Sequence, residues 1–274
     1  MFGKDDTVIE GRIREKKEHI EFKIDPSIKV SIIMPAYNAS KYLVDSVESV
    51  KKQSFKNWEL IIIDDCSIDN TAELIKSMSE KDSRIIFMQN TENCGVAQTR
   101  NAGIKVATGK YIAFLDSDDI WFPNKLERQL EFMEKNRYAF SFSSYLKFDS
   151  NTGKNGKIVR APKVVVAEEL LGNTIIGCLT VIYNREKIGK VYMPNIKHME
   201  DNATWYSVLA QGYKAYGLDE VLAKYRENNN SLTANKWHSA ILQWDIYRDY
   251  FKFSRAKSAK YFVQYVFNAL KKYF

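Results

Sequence analysis

The stretch Lys110 to Trp121 reads Lys-Tyr-Ile-Ala-Phe-Leu-Asp-Ser-Asp-Asp-Ile-Trp, an apolar run that stops in three carboxylates, Asp116, Asp118 and Asp119. A short apolar run with polar flanks is the pattern of a buried strand, and ligands of open α/β sheets bind beyond the carboxyl ends of strands. Carboxylates crowded at such a mouth repel one another unless a cation lies between them, and their hard oxygens suit Mg²⁺ or Mn²⁺ shared with a substrate phosphate. The Asp-x-Asp pattern alone decides little. Asp and Ser also cap helices, and Pro123 suits the first turn of one. Two more acid pairs belong in the same survey, Asp64 with Asp65 and Glu200 with Asp201. The second pair opens a helix-like segment, where acids complement the helix dipole whatever else they do.

The elements around these acids decide whether they can meet. Lys29 to Pro35 is a compact apolar run read as a strand, running into Pro35-Ala-Tyr-Asn38 and a helix from about 40 to 53. Trp58 to Ile63 is the second strand and ends at Asp64; Asp69 and Thr71 open the next helix. Arg84 to Met88 reads as a third strand, Asn93-Cys-Gly95 as a turn before a helix carrying Arg100, Asn101 and Gly103, and Tyr111 to Leu115 as the fourth strand. Strands alternating with helices imply a parallel sheet with right-handed crossovers, so Pro35, Asp64, Asp65 and Asp116 to Asp119 are expected along one edge. Further on, Lys125 to Lys135 has helical spacing, Ala139 to Phe148 and Lys157 to Val166 read as a hairpin around a Gly/Asn turn, and Asn173 to Tyr183 as a loop and strand packed on the first half.

The whole chain, 274 residues with a formal charge of +7, holds one large α/β domain with extensions or two small ones, and the charge favours anionic partners without choosing among them. Three cysteines, Cys66, Cys94 and Cys178, with no Cys-x-x-Cys pair argue against a disulfide framework or a zinc site and fit a reducing cytoplasm. No apolar run reaches the length of a membrane span, and Met1 to His19 is polar and mixed in charge rather than signal-like. The tail is different. Trp244, Tyr247, Phe251, Tyr261, Phe262, Tyr265 and Phe267 recur at helical spacing, and Lys252, Arg255, Lys257, Lys260, Lys271 and Lys272 follow without an acid after Asp249. Such helices suit an anionic interface; packing on the rest of the chain or on a second subunit explains the same residues.

In the series Val30 to Asn38, Trp58 to Ser67, Asn93-x-Gly95 with Ala97, Arg100, Asn101 and Gly103, and Tyr111 to Asp119, the chain resembles glycosyltransferase family 2, inverting nucleotide-sugar enzymes. The resemblance runs from about Lys29 to Tyr225, and matches around Asn173 to Thr180 and at Trp237 are similar to the bacterial teichuronic-acid, capsule and O-antigen branch. It implies a GT-A fold, an α/β architecture with a Rossmann-like, mostly parallel central sheet flanked by helices and a helical C-terminal extension. The expected division is an arm at 1–28, a catalytic domain at 29–232 and amphipathic helices at 233–274.

Carried over position by position, the resemblance places Pro35, Ala36, Tyr37 and Asn38 beside a uridine and Asp65 on the uracil edge with Asp64 in support. Arg100 and Ser117 belong near the nucleotide, Asp116 on the ribose or the metal's water shell, and Asp118 on a Mn²⁺ or Mg²⁺ ion, with Asp119 a third acid. Asp201 is the implied base; Glu200 is the alternative or a holder of acceptor hydroxyls, and His198 or His238 a further metal or phosphate contact. Tyr225-Arg226 and Asn228 to Ser231 resemble a mobile loop over the diphosphate, with Arg226 closing on anionic oxygens. Each has a purely structural counterpart: Asp65 as a turn acid, Arg100 as a solvated helix cation, Arg226 as a strand-end cation. The implied partners are a UDP-sugar and a lipid-diphosphate-linked glycan acceptor for surface polysaccharide, with the protein cytoplasmic, peripheral on the inner face of the membrane, and a homodimer left open. The rival readings are a non-catalytic sugar-nucleotide-binding scaffold and a basic nucleic-acid-binding protein. The second is disfavoured by the acidic centre, and a Rossmann dehydrogenase by Pro-Ala-Tyr-Asn in place of a Gly-rich turn.

Overall fold

The computed structural model describes residues 23–149, 152–196, 198–227 and 236–271, with the side chains of 236–240 and 269–271 left out of the description. Strands β1 (Val30–Ala36) and β2 (Trp58–Asp64) are buried along their whole length. Their near-continuous apolar sequence follows from that, since a parallel strand covered by helices on both sides has no wet face. Helices α1 (Leu43–Lys51), α2 (Thr71–Lys81) and α3 (Val96–Val106) cross between β1, β2, β3 (Ile85–Gln89) and β4 (Tyr111–Phe114). Side chains alternate about the sheet. Val30, Ile32 and Met34 meet Leu43 and Val47 of α1 on one side, while Ile33, Ile61 and Ile63 meet Ala97 and Ile104 of α3 on the other.

The chain continues through β5 (Ile120–Trp121), α4 (Lys125–Asn136), β6 (Phe140–Asp149), β7 (Asn155–Val159), β8 (Val164–Val165) and α5 (Ala167–Leu171). A short 3₁₀ turn, Cys178–Thr180, leads to β9 (Ile182–Asn184), α6 (Arg185–Ile188), α7 (Glu200–Leu209) and β10 (Ala215–Glu227). The sheet order is β3-β2-β1-β4-β9-β6-β10-β5, with β7 on β6 and β8 on β10. The first four strands run parallel, whereas β9 lies antiparallel to both β4 and β6, and β6 pairs with β10 in parallel. The sheet is thus parallel at the nucleotide end implied by the sequence and mixed beyond β4.

Two differences from the sequence reading have local causes. The run Lys157 to Val166 is divided into β7 and β8, which pair with different neighbours. Pro162 between them lacks the N–H a continuous ladder needs. Strand β10 escapes a sequence reading because irregularities between Leu218 and Val221 and between Val221 and Ala223 break its alternation. Ahead of Lys29, Ile28 is buried and Ile24 packs on the same cluster, so the packed unit begins before the expected arm ends; residues 1–22 lie outside the described part.

Helices α8 (Lys236–Asp245) and α9 (Arg255–Lys271), joined through a π-helical turn at Ile246–Tyr250, pack against the domain. Leu171 of α5, Tyr247 and Tyr261 form a small buried cluster with Tyr206 of α7, Phe251, Phe253 and Phe262 around it. The Tyr247 hydroxyl donates to the Leu171 carbonyl. Part of the aromatic tail is therefore core.

Candidate active site

The carboxyl ends of β1 and β2 are tied to each other before any ligand is considered. The β1–β4 ladder runs to Ile33 opposite Phe114, with the Leu115 N–H still reaching the Ile33 carbonyl at 3.1 Å. Pro35 has no N–H with which to continue it, so the strands part there. The Asp65 N–H donates to the Ala36 carbonyl at 2.8 Å. Asn38, at φ 48, receives the Ile68 N–H on its side-chain oxygen at 2.9 Å and gives its own N–H to the Ser67 hydroxyl at 2.9 Å. Tyr37 beside it is half exposed. Pro35, Ala36, Tyr37 and Asn38 thus line one rim with the Asp64–Ser67 turn.

Asp65 is buried, and three protein donors hold its carboxylate: Asn90 Nδ2 at 2.7 Å and the Cys94 N–H at 2.9 Å on Oδ1, the Gly95 N–H at 2.9 Å on Oδ2. It does not cap Ser67 to Thr71. It faces the amino end of α3, where orphan N–H groups and the helix dipole favour an anion. Asp64 is fully buried, and its Oδ2 accepts from the Ser67 N–H at 3.2 Å and Gln89 Nε2 at 3.0 Å while Oδ1 has no hydrogen-bond partner. Asn90 also donates to the Thr99 hydroxyl at 3.1 Å, which links the Asp65 turn to the residue beside Arg100.

Two glycines set where α3 carries Arg100. Gly95 takes φ +81 at the start of the helix, a conformation L side chains rarely adopt, and a Cβ on Gly103 would lie 2.7 Å from Ile63 Cδ1. The helix therefore lies close against β1 and β2 and aims Arg100 inward. Arg100 is no solvated cation: its side chain is 5% exposed, with one guanidinium nitrogen 2.6 Å from Asp116 Oδ1 and another 2.7 Å from Glu200 Oε1. Both donors expected near a nucleotide are taken by carboxylates, one from the mouth of β4 and one from the first turn of α7. Asn101 reinforces the link, exchanging two hydrogen bonds with the Met193 backbone at 2.8 and 2.7 Å ahead of α7.

The Asp116–Asp119 turn is closed by the Asp119 N–H on the Asp116 carbonyl, and Ser46 of α1 donates to the Ser117 carbonyl at 2.9 Å. Arg226 of β10 braces its far side. Its backbone N–H reaches Asp119 Oδ1 at 2.8 Å, Nε reaches the Asp118 carbonyl at 2.6 Å, and the guanidinium lies over Tyr42 at 4.1 Å and near Phe148 at 4.7 Å. In this conformation Arg226 holds the acidic turn, and its Nη2, buried, makes no hydrogen bond. Asn228 to Ser231, read as a mobile loop, and the side chain of His238 lie outside the described residues. His198 is half-buried, two residues before α7.

Electrostatics show that these groups share one space. Burial, then the neighbouring charge of Glu200, pushes Asp201 up to about 7 against the pull of Arg100; Asp116 also raises it. Burial and the charge of Asp116 push Asp118 up to about 6. Burial, with Asp118 and Asp116 beside it, drives Asp119 well above the usual carboxylate range. The Tyr145 hydroxyl, raised first by burial, also feels both Asp119 and Asp201, so the acids of the β4 mouth and of α7 face a common region of β6. Carboxylates that raise one another in this way fit a cation. Among the described residues there is no group of three or more His, Cys, Asp or Glu side chains arranged to enclose one. The fit is to an ion held by one or two carboxylates and by substrate phosphates, as Mg²⁺ commonly is, rather than to an all-protein cage.

The same strand ends carry a family signature. Residues 31–192 match the family model for glycosyl transferase family 2, more than half of the chain. The chain belongs to glycosyl transferase family 2. It is 46% identical over 243 residues, 89% of this chain and 96% of the relative, to a putative teichuronic acid biosynthesis glycosyltransferase of Bacillus subtilis. It is 39% identical, over 89% of the chain and 94% of the relative, to an Escherichia coli UDP-Glc:alpha-D-GlcNAc-diphosphoundecaprenol beta-1,3-glucosyltransferase. Among solved structures, Staphylococcus aureus TarS residues 1–349 with UDP-GlcNAc align at a TM-score of 0.65 and 20% identity, over 87% of this chain and 72% of that one. A Pyrobaculum calidifontis mannosyltransferase with GDP-Man and Mn²⁺ aligns at 0.65 and 18% identity, over 86% and 68%. These two likenesses establish the GT-A-type fold. As a family 2 glycosyltransferase the protein is a nucleotide-sugar-dependent enzyme.

Sequence reasoning missed three parts of this family 2 site. Gln89 and Asn90, which hold Asp64 and Asp65, lie just past the strand expected over Arg84 to Met88, where nothing in the sequence marks them. The Arg100–Glu200 pair joins residues a hundred positions apart, and no local pattern announces it. Asn101 carried a signal, as a member of the quoted motif, and its partner Met193 carried none.

Proposed function

We propose that this glycosyltransferase moves a hexose from a UDP-sugar, with inversion at the anomeric carbon, to a hydroxyl of a lipid-diphosphate-linked glycan in cell-surface polysaccharide synthesis at the inner face of the membrane. The observation that carries the reading is the Arg100 bridge, which holds Asp116 and Glu200 on one guanidinium and so puts Asp201 beside the mouth of β4. The names and titles of the relatives, a UDP-glucose-dependent transferase acting on a diphosphoundecaprenol-linked sugar and a structure with UDP-GlcNAc, support donor and acceptor class.

On this reading the uridine lies between Tyr37 and the Asp65 turn. Asp65 fixes the 93–95 segment through the Cys94 and Gly95 N–H groups and takes a third donor from Asn90, and an ionised carboxylate has lone pairs for about one more, which we assign to the base imide N–H. Asp118, with Asp116 behind it, would hold a Mn²⁺ or Mg²⁺ ion that neutralises charge on the departing diphosphate. The acceptor hydroxyl attacks the anomeric carbon from the face opposite the diphosphate, and Asp201 takes its proton as the new bond forms. An apparent pKa of about 7 suits that task, because a base whose pKa lies near the working pH is both ionised and basic enough. Glu200, fixed by Arg100, cannot swing into that place without leaving its ion pair, which makes it a positioning residue. Arg226 keeps Asp118 turned to the donor.

The test is a screen of UDP-sugars for UDP release with Mn²⁺ or Mg²⁺, with and without a lipid-linked glycan acceptor. The expected result is release that the acceptor stimulates and a chelator abolishes. UDP binding without turnover for any donor would overturn the reading in favour of a non-catalytic scaffold.

A further inference from the structure

Strand β6 leaves the core at Tyr145: Phe140 to Ser144 are buried, and from Tyr145 onward the strand is half-buried. The register sets Tyr145 opposite Ala223 of β10, and Ala223 in turn opposite Trp121 of β5, two residues past Asp119. One row of the sheet thus carries Tyr145 towards the acidic turn. Its ring is fixed from two sides. Tyr225 meets it edge-on, with the ring centres 6.1 Å apart. A Cβ on Gly177 would lie 3.4 Å from Tyr145 Cε1 and 3.8 Å from Cζ, so the backbone ahead of the 3₁₀ turn lies against the hydroxyl end of the ring. That turn is pinned from behind. The Leu179 carbonyl accepts from Trp121 Nε1 at 2.9 Å and the Thr180 carbonyl from Gln129 Nε2 at 2.9 Å, with the buried Lys125 ammonium 3.4 Å from the same oxygen.

The hydroxyl at the end of this fixed ring differs from those of the other enclosed tyrosines. Tyr111 donates to Glu134, Tyr247 donates to the Leu171 carbonyl, and Tyr183 accepts the Val191 N–H. A phenol enclosed by protein usually finds such a partner. Among the described residues the Tyr145 hydroxyl makes no hydrogen bond. It keeps its proton, because burial first, and then Tyr225, Asp119, Glu227 and Asp201, push its pKa up. A neutral phenol among carboxylates suits a sugar hydroxyl, which accepts from the phenol and donates to an acid, better than it suits an anion. Its place also says which sugar. Asp119 belongs to the turn assigned to the departing diphosphate and Asp201 is the group assigned to the acceptor's proton, and between diphosphate and acceptor lies the sugar in transit.

We propose that Tyr145 donates a hydrogen bond to a hydroxyl of the transferred hexose and so helps select which UDP-sugar the protein takes, an inference that rests on the UDP-sugar part of the proposed function. Gly177 and the pinned 3₁₀ turn hold the ring in place for that contact. A fixed donor of this kind favours one epimer, because a hydroxyl of the other hand at the same carbon does not meet it.

The test is Tyr145→Phe in the full chain, which keeps the ring and its packing and removes only the hydroxyl. Calorimetry with Mn²⁺ compares UDP with UDP-glucose, UDP-galactose and UDP-N-acetylglucosamine. UDP affinity is expected to stay unchanged, while affinity for the best-bound UDP-sugar falls about three- to tenfold, the span of one neutral hydrogen bond. Among monodeoxy analogues of that donor, one should cost the unaltered protein the same factor and the Phe variant nothing. Equal affinity of variant and unaltered protein for every UDP-sugar would overturn the proposal. So would an equal loss for UDP and UDP-sugars, which would make Tyr145 a support of the fold. UDP bound without any UDP-sugar would end this inference and the transferase reading together. Binding needs neither acceptor nor turnover, so Tyr145-dependent binding without UDP release would sink the transferase reading alone, and acceptor-stimulated release with an indifferent Tyr145→Phe would sink this contact alone.

Discussion

The half of the molecule built on β1, β2 and β3 and the rim where β4, α7 and β10 meet treat their charged groups in opposite ways. In the first, acids are compensated by the protein itself, with Asp64 Oδ1 the exception. Glu59 opposes its own burial with bonds from Lys29, Ser31 and Thr108 and is held down at about 2, and Asp65 has three donors. At the rim, Asp118 stands at about 6 and Asp201 at about 7, Asp119 Oδ2 and Arg226 Nη2 are buried without hydrogen bonds, and one arginine, Arg100, serves two acids. On the proposed reading the nucleotide cradle is mostly finished before a donor arrives. The rim is arranged for charges that come with the substrates, and such preorganisation is where catalysis gains most.

If that contrast is right, rim substitutions should cost turnover and cradle substitutions should cost donor binding. The largest effect is expected for Asp118→Ala: metal-stimulated UDP release falls about 10³-fold, with the fold retained by circular dichroism, since one preorganised electrostatic contact is worth about 10²–10³ in rate. Near-normal release would remove Asp118 from the cation site. Arg100→Met should come next. It leaves Asp116 and Glu200 facing each other without a cation, a loss of about 2–3 kcal/mol in denaturant unfolding, below the full cost of breaking a buried pair because the Asp116 side chain is 31% exposed. In the same variant the acid limb of transfer should move to higher pH, because the cation that opposes the rise of Asp201 is gone.

In the unaltered protein the limb itself is a smaller and sharper check. Burial pushes the Asp201 carboxyl up to about 7, well above the usual carboxylate range, so it binds a proton below neutrality and must lose it to act as the proposed base. Transfer should fall about tenfold per pH unit below about 7 and level off above it. The linkage runs the other way for stability: this carboxyl favours the folded state when protonated, and that contribution is lost as pH rises from about 4 to about 7. Smallest is the expected effect in the cradle. Asp65→Ala should raise KM for the donor about tenfold with kcat nearly unchanged, since it removes uniform binding and frees the 93–95 segment. An equal fall in kcat would merge the two regions and end the comparison.

Much of the fold was legible because β1, β2 and β4 are buried on both faces and their sequences are nearly continuously apolar, broken only by Ser31 and Glu59 before the closing Asp64. The acids ending those strands were legible for the same reason, as polar breaks in apolar runs. What stayed hidden depended on distant partners. Strand β10 carries Asp219, Glu220 and Lys224 amid irregular pairing, and β5 is only two residues long. Lys125, read as an ordinary helix residue, is fully buried with its ammonium 2.6 Å from Gln129 Oε1, and burial brings it down to about 7. The tail's aromatics divide, Tyr247 and Tyr261 inward and Phe267 outward, a split that spacing alone does not give.

The most direct test of the Asp201 assignment is a paired measurement on Asp201→Asn, UDP binding by calorimetry and acceptor-dependent UDP release by a coupled assay. The account predicts binding within about twofold of the unaltered protein and release reduced about 10²–10⁴-fold, the span a general base supplies. Release at the unaltered rate with binding intact would contradict it, and would move the proton acceptor to another group.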